Sequence, residues 1–190
     1  MTASVGGSDG GPVAESLGGL AGDVVRRLRA TGGTLGVAES LTGGALTAGL
    51  VDVPGASAVL RGAVVAYATD LKAGVLGVPS GLLREHGAVH PAVAAAMAAG
   101  AARVLGASWG LATTGVAGPA EQDGQPVGTV HVAVSGPGGR VVSLHLPGGR
   151  AQVRAGAAAA ALELLLACLA AGPAAAEVRP AREATAPVER

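Results

Sequence analysis

Several residue types are rare or missing, and each absence narrows the range of functions. The 190-residue sequence has no Phe, Ile or Asn and a single cysteine, Cys168. One cysteine forms no intramolecular disulfide and no cysteine zinc cluster, which is typical of the reducing cytoplasm. Thirteen Lys plus Arg balance thirteen Asp plus Glu. A chain without a basic excess lacks the electrostatic footprint of nucleic-acid binding, so we expect no nucleic-acid ligand.

Lysine and tyrosine occur once each, as Lys72 and Tyr67. The chain is filled with Ala, Gly, Val, Leu and Arg, as in proteins of GC-rich genomes, where coding pressure disfavours Lys and Tyr. The two residues are five positions apart. Either they are chance survivors in a biased chain, or they supply a phenol and an amine whose chemistry Ala, Val and Arg cannot replace.

Helical and strand patterns alternate along the sequence. Apolar residues at helical spacing predict an opening helix from Ser16. Further patterns predict strands over 34–38, 62–66, 108–114, 129–135 and 141–146, a short helix around Lys72 that Thr69 or Asp70 caps, and helices over 79–86, 91–105 (broken by Gly100) and 150–171. This order predicts a three-layer α/β/α sandwich with a mixed sheet.

The last helix and the two ends of the chain need separate interpretations. The helix is apolar, but it is short, rich in Ala and carries Glu163, so we expect a buried or interface helix and no membrane partner. Residues 1–15 have neither a basic nor an apolar signal region and predict a flexible leader. Residues 172–190 lack periodicity and predict a disordered tail. A single domain over 16–171 remains, and we expect a cytoplasmic protein.

Polar segments follow three of the predicted strands, over residues 39–44, 67–72 and 113–115. Ligands of open α/β sheets bind beyond the carboxyl ends of the strands, where helix N-termini offer free amides. Gly43 and Gly44 lack side chains, so an anion or a developing oxyanion could approach the backbone there. Spacing alone equally allows a second interpretation, in which Ser40 caps a helix and the two glycines serve packing.

The common signatures of other site types are missing. The sequence contains neither G-x-S-x-G nor a phosphate-binding G-x-x-x-x-G-K-[ST], which disfavours an ordinary esterase or NTPase. His86 and His90 are four residues apart, but Gly87 lies between them, so a shared helical metal face is not expected. We interpret both as surface or loop residues, and His131 and His145 as ordinary strand residues. The sequence predicts no metal site and no cofactor.

The segments that carry polar residues belong to a larger set of motifs. Seven segments make up this set, in order along residues 16–170. They are VAESLTGG at 37–44, the strand and helix of 62–72, LGV at 76–78, HGAV at 86–89, TGVAGP at 114–119, PVGTV at 126–130 and GR at 149–150. Together they resemble the CinA C-terminal domain family. That family includes nicotinamide mononucleotide deamidases, which hydrolyse the carboxamide to give nicotinate mononucleotide and ammonia. The resemblance implies the family's fold and this recycling activity.

The sequence departs from the family's usual residues at five places, which are Leu41, Thr69, Gln125, Gly149 and the neighbourhood of His90. Asn, Lys and Asp are frequent in the family at or near Thr69, Gln125 and Gly149. Two of these departures fall in segments expected to contact phosphate or ribose. The physiological substrate therefore stays open, and an amidase for another small amide and a non-catalytic nucleotide-binding module are the alternatives.

Amide hydrolysis needs a nucleophile, a proton acceptor and donors to the oxyanion. Ser40 is the candidate nucleophile. The candidate base is Lys72 or Tyr67, and neither is preferred, because each needs a pKa well below its ordinary value. The candidate substrate-binding residues are Glu39, the amides of Thr42, Gly43 and Gly44, Thr114 with Gly115, and Arg150 with Arg154 for the phosphate. The two arginines could equally solvate the last helix or bridge subunits.

We also expect a homo-oligomer. The last helix carries five leucines, at positions 162, 164, 165, 166 and 169, which are too many to leave more than one stripe exposed. The resemblance points the same way, because members of the family associate.

Overall fold

The structure, a computed structural model, describes residues 12–171. Its elements in chain order are α1 (Pro12–Thr31), β1 (Leu35–Glu39), α2 (Ala45–Val51), a 3-10 turn (Ala56–Ala58), β2 (Leu60–Val65), α3 (Thr69–Gly74), α4 (Ser80–His86), α5 (Pro91–Leu105), β3 (Trp109–Gly115), β4 (Thr129–Ser135), β5 (Val141–His145) and α6 (Arg150–Ala171). The opening helix begins four residues earlier than expected. Residues 1–11 and 172–190, with most of the predicted leader and the whole predicted tail, lie outside the described residues.

The five strands form one mixed sheet in the order β2-β1-β3-β4-β5. β1 runs parallel to both β2 and β3, whereas β4 is antiparallel to β3 and to β5. The carboxyl ends of the three parallel strands therefore meet at one edge. Because the chain leaves β1 for β2 on one side and later returns to β3 on the other, a crevice opens between the ends of β1 and β3.

Each face of the sheet has its own hydrophobic core. On one face, α1, α2 and α6 cover a cluster that includes Leu35, Val37, Leu111 and Val132. On the other face, α5 and the segment around Leu76 cover a smaller cluster built mainly from alanines. Neighbouring strand residues point to opposite faces, so each buried strand supplies both cores. The predicted three-layer sandwich with a mixed sheet is confirmed.

Glycines let α5 lie very close to its neighbours. A side chain at Gly110 of β3 would overlap the carbonyl oxygen of Ala98, and a side chain at Gly100 would overlap the carbonyl oxygen of Leu76. α5 continues through Gly100 without interruption. The expectation that Gly100 breaks the helix is therefore wrong, because the glycine serves a backbone contact. The close packing expected of this Ala-rich helix is confirmed.

α6 has the length and the apolar composition of a membrane-spanning helix, and no other helix within residues 12–171 has both. In this domain it is a core helix. Leu162, Leu164 and Leu165 are buried against the rest of the chain, and Leu166 and Leu169 are half-buried. The leucines that led us to expect an oligomer are thus mostly covered within one chain, so that expectation now depends on the family resemblance.

Candidate active site

Ser40 stands directly beyond β1, at the edge of the crevice. Its amide donates to the carbonyl of Thr113 at 3.1 Å and so extends the β1–β3 ladder by one residue, while its carbonyl accepts from Gly43 at 3.1 Å and starts a tight turn. The side chain is 9% exposed and lines a pocket of about 110 Å³. Its Oγ accepts a hydrogen bond from Nζ of Lys72 at 3.0 Å. The turn therefore presents a hydroxyl that is both held and reachable.

Lys72 is buried to an unusual degree for a lysine, with 1% of its surface exposed. Its Nζ donates to Ser40 and to the carbonyl of Ala66 at 2.7 Å. Burial lowers the pKa of Lys72 from 10.5 to about 8, and the Asp123 carboxylate acts in the opposite direction. A pKa of 8 leaves roughly one-tenth of the amines neutral at pH 7. Lys72 is thus a buried, hydrogen-bonded amine whose pKa lies closer to neutrality than that of a free lysine.

The helix that carries Lys72 starts without a side-chain cap. Ala68 is the N-cap residue in an extended conformation, and α3 begins at Thr69, so the expectation that Thr69 or Asp70 caps the helix is wrong. Asp70 in the first turn still faces the positive end of the helix dipole. Within this six-residue helix the side chain of Lys72 is buried, whereas those of Asp70 and Leu71 are exposed.

Glu39 has a structural role that the sequence analysis missed. Its side chain is fully buried. One carboxylate oxygen accepts from the amides of Gly44 at 2.8 Å and Leu46 at 3.3 Å, and the other accepts from the amide of Thr47 at 2.8 Å and from its hydroxyl. Glu39 therefore caps α2 with its negative charge at the helix N-terminus. This corrects two ideas: Glu39 does not line the pocket, and Ser40 is not the capping residue.

The glycines after Ser40 build the turn but do not offer their amides to a ligand. Gly43 and Gly44 have φ of 60° and 96°, a conformation that favours glycine. The amide of Gly43 donates to Ser40, and that of Gly44 donates to Glu39. Thr42 is buried, and its hydroxyl bonds with that of Thr113 at 2.8 Å. The expectation that the amides of Gly43 and Gly44 bind the substrate is corrected accordingly, and the one for the Thr42 amide stays a prediction.

A different amide is free to serve as an oxyanion donor. Within the described part of the chain, the backbone N–H of Leu41 donates to no protein group, and Leu41 lines the pocket. Arg154 of α6 holds the carbonyl side of this turn, since Nε donates to the Leu41 carbonyl at 3.0 Å and Nη2 donates to the Thr42 carbonyl at 2.7 Å. Arg154 thus fixes the loop that follows Ser40, and the expectation that it binds a phosphate is corrected.

The walls of the pocket are small and rich in backbone. Its lining comprises Ser40, Leu41, Tyr67, Ala88, Val89, residues 114–118, Ala120, Gln122 and Arg150. Thr114 is 1% exposed, and its hydroxyl donates to the carbonyl of Ala88 at 2.8 Å. Thr114 and Gly115 therefore lie at the pocket, as expected, but the Thr114 hydroxyl proton is already used to hold the wall at Ala88.

Tyr67 and Arg150 meet at the mouth of the pocket. Tyr67 is 60% exposed, and its hydroxyl accepts from Nη2 of Arg150 at 2.8 Å. Nη1 of Arg150 donates to the carbonyl of Gly118 at 2.6 Å. The guanidinium therefore connects the end of β2, the loop of residues 116–128 and the start of α6. An exposed cation at a pocket mouth is suited to an anionic part of a ligand.

None of the described histidines is among the residues that line the pocket. His86 and His90 stack with their ring centroids 4.2 Å apart, and Nδ1 of His90 accepts from the amide of Ala92 at the start of α5. His131 of β4 is buried and bonds with the hydroxyl of Ser143 at 2.8 Å. Within residues 12–171, no group of three or more His, Cys, Asp and Glu side chains is arranged to hold a metal ion.

The fold and the pocket define a three-layer α/β domain with a hydrogen-bonded serine–lysine pair at the carboxyl edge of its parallel strands. The family model of the CinA C-terminal domain matches residues 18–169. The chain belongs to this family, and the resemblance read from the sequence motifs is confirmed. Most of the ordered domain lies within the match, so the pocket and both residues of the pair are included.

Individual relatives agree with the family assignment. A CinA-like protein of Frankia casuarinae is 53% identical over 155 residues, which cover 81% of this chain and 36% of that protein. A CinA-like protein of Gloeobacter violaceus is 52% identical over 139 residues, which cover 71% of this chain and 33% of that protein. The chain thus spans about a third of the length of these curated relatives.

Solved structures match the fold over nearly their whole length. A competence-damaged protein (CinA) superfamily protein from Klebsiella pneumoniae is 34% identical with a TM-score of 0.78, covering 81% of this chain and 98% of that one. A competence/damage-inducible protein from Agrobacterium tumefaciens is 32% identical with a TM-score of 0.76, covering 88% and 99%. The sandwich described above is therefore that of the CinA superfamily.

Proposed function

We propose that the chain is an amidohydrolase that converts nicotinamide mononucleotide to nicotinate mononucleotide and ammonia. The observation that carries the proposal is the hydrogen bond between Ser40, which lines the pocket, and the buried Lys72. A hydroxyl beside an amine of lowered pKa is an activated nucleophile with its base. The resemblance to a family that contains nicotinamide mononucleotide deamidases supplies the substrate.

The proposed reaction uses the pair twice. Neutral Lys72 accepts the Ser40 proton as Oγ attacks the carboxamide carbon, and the resulting oxyanion lies at the free amide of Leu41. The tetrahedral intermediate collapses with transfer of the proton from Lys72 to the departing nitrogen, which leaves as ammonia. The nicotinoyl group is then an ester of Ser40. Lys72 then takes a proton from water as the water attacks this ester, and it returns that proton to the departing Ser40 oxygen. The acid product loses its proton to solvent and leaves as the carboxylate.

The contacts favour Lys72 over Tyr67 as the base. Nζ of Lys72 is hydrogen-bonded to Ser40, whereas the Tyr67 hydroxyl accepts from Arg150 at the exposed rim. A phenol held by a guanidinium in this way is placed to orient a ligand. We therefore assign Tyr67 to the face of the nicotinamide ring, where its own ring offers a stacking surface, and Arg150 to the phosphate.

The pocket size fits only part of this substrate. A volume of about 110 Å³ is below the 300–1,000 Å³ of typical pockets for whole small ligands. The proposal therefore places the carboxamide-bearing ring inside and the ribose phosphate along the rim formed by Tyr67 and Arg150. It requires no metal and no cofactor.

We further propose that the protein is cytoplasmic and forms a homo-oligomer. Light scattering at micromolar concentration measures the mass of the particle directly, and a monomeric mass contradicts the oligomer.

The test is ammonia release from purified protein incubated with nicotinamide mononucleotide and, separately, with nicotinamide riboside. Release from the nucleotide with a much lower kcat/KM for the riboside supports the proposal and the phosphate role of Arg150. Equal kcat/KM for both points to an amidase for another small amide. No release, together with calorimetric binding of the nucleotide, points to a non-catalytic binding module.

A further inference from the structure

A two-residue hairpin projects from the loop of residues 116–128. Gln122 and Gln125 exchange backbone hydrogen bonds of 3.2 and 2.8 Å, with Asp123 and Gly124 at the tip. Both tip residues have positive φ, 53° and 70°, as in the tight turn that Asp-Gly sequences favour. Asp123 is the one non-glycine residue with positive φ in the described part of the chain. The turn therefore holds Asp123 in a defined position.

Asp123 fastens this loop to the opposite wall of the pocket. Its Oδ2 accepts from the amide of Ala88 at 2.6 Å, and the carbonyl of Ala88 accepts from Thr114. Gly87 makes room for the contact, since a Cβ there would lie 2.5–2.6 Å from three atoms of the Asp123 side chain. Both polar groups of the Ala88 backbone are thus held, one by the loop and one by β3. Ala88 itself lines the pocket.

The same carboxylate acts on the amine of the candidate base. It opposes the effect of burial on the pKa of Lys72. Within residues 12–171, Lys72 forms no ion pair within 4 Å. Four other titratable residues lie two positions in sequence from Lys72, Ala88 or Asp123. They are Asp70 on α3, His86 at the end of α4, His90 at the start of α5 and Glu121 on the loop itself.

We propose that Asp123 is a positioning residue of the Ser40–Lys72 site, which clamps the 116–128 loop to the pocket wall at Ala88. The catalytic meaning of this inference rests on the proposed function. The contact of Asp123 with Ala88 and its effect on the pKa of Lys72 do not depend on that function, because both exist in the free protein. Asp123 adds no group to the reaction and works through Ala88 and Lys72.

The first test measures the charge effect without any substrate. Because Lys72 is the only lysine, protein labelled with ¹³C at lysine Cε gives a single signal whose pH titration reports its pKa. Asp123→Asn removes the charge but keeps an oxygen for Ala88, and we expect a lower Lys72 pKa than in the wild type. Glu121→Gln, the same change two residues away, is the control and should leave that pKa in place. Equal values in the two variants overturn the electrostatic part.

The second test measures the clamp. Asp123→Gly removes the side chain and suits the positive φ, so it avoids the backbone strain of alanine. We expect faster hydrogen exchange at the amide of Ala88 in Asp123→Gly than in Asp123→Asn, with circular dichroism like the wild type. Unchanged exchange in a folded Asp123→Gly protein overturns the clamp. If the nucleotide is turned over, Asp123→Gly should raise KM, and Asp123→Asn should move the acidic limb of kcat/KM to lower pH.

Discussion

Nζ of Lys72 lies 3.0 Å from Oγ of Ser40, although 32 residues separate them in sequence. The parallel pairing of β1 and β2 explains the contact, because it places the carboxyl ends of both strands at one edge. Ala66 fixes the junction: its amide donates to the carbonyl of Glu39 at 2.8 Å, and its own carbonyl accepts from Lys72. The sheet register thus brings nucleophile and amine together before any ligand binds.

Ser40→Ala should reduce ammonia release by about a thousandfold or more, because the covalent route is lost. The fold should persist, since Glu39 rather than Ser40 caps α2. Ammonia release and a thermal melt on the same preparation provide the check. Ser57→Ala, an exposed serine of the 3-10 turn, is the matched control and should keep full activity. Wild-type turnover by a folded Ser40→Ala protein contradicts the mechanism.

The sequence was sufficient to predict the sandwich, because its strands are short apolar runs separated by helices and glycine-rich turns. It also indicated Ser40, Lys72 and Thr114, since polar residues at the carboxyl ends of parallel strands converge whatever the details of packing. The family resemblance suggested the substrate that we propose. These features depend on topology and residue type, which a sequence pattern conveys.

The hydrogen-bond partners could not be predicted in the same way. Glu39 was expected to face the ligand, yet it caps a helix that starts six residues later, and no common capping pattern has that spacing. Arg154 was expected beside Arg150, but it turns toward the carbonyls after Ser40. One turn of helix separates the two arginines, so their different partners follow from tertiary contacts that periodicity does not encode.

Lys72→Arg should be nearly as inactive as Lys72→Met, with kcat reduced about 10²- to 10⁴-fold, the usual contribution of a general base. A guanidinium keeps the charge but does not release its proton at working pH. Steady-state kinetics with nicotinamide mononucleotide measure both variants, and circular dichroism monitors folding. Retained kcat with a raised KM in Lys72→Arg shows instead that Lys72 supplies only charge.

The activity should depend on pH through Lys72. Since the base must be neutral, kcat/KM should rise with pH and level off above a pKa of about 8. The stability follows the same group: the unfolded chain binds its proton up to about 10.5, so the free energy of unfolding should increase between about pH 8 and 10.5. Denaturant titrations of wild type and Lys72→Met separate this term, because the variant should lack it. Identical pH slopes in both proteins contradict a lowered pKa.

Glu39→Gln should act on stability more than on chemistry. The carboxylate accepts from three backbone amides and one hydroxyl, and an amide side chain offers a single acceptor oxygen without charge. We expect a loss of about 1–3 kcal/mol in the free energy of unfolding, measured by urea denaturation. The matched control is Glu163→Gln, an exposed glutamate of α6, which should unfold like the wild type. Equal stability of the two variants rules out the capping role.

Arg150 and Tyr67 should act as a unit on substrate binding. Arg150→Ala should raise KM for nicotinamide mononucleotide about tenfold or more and leave nicotinamide riboside unaffected, because a charged hydrogen bond to phosphate is lost. Tyr67→Phe keeps the ring but frees the guanidinium, so its effect on KM should be smaller. A double-mutant cycle completes the measurement, and the Tyr67→Phe effect should vanish in the Arg150→Ala background. If Tyr67→Phe instead lowers kcat by the same factor in both backgrounds, the phenol takes part in proton transfer, and Lys72 is not the sole base.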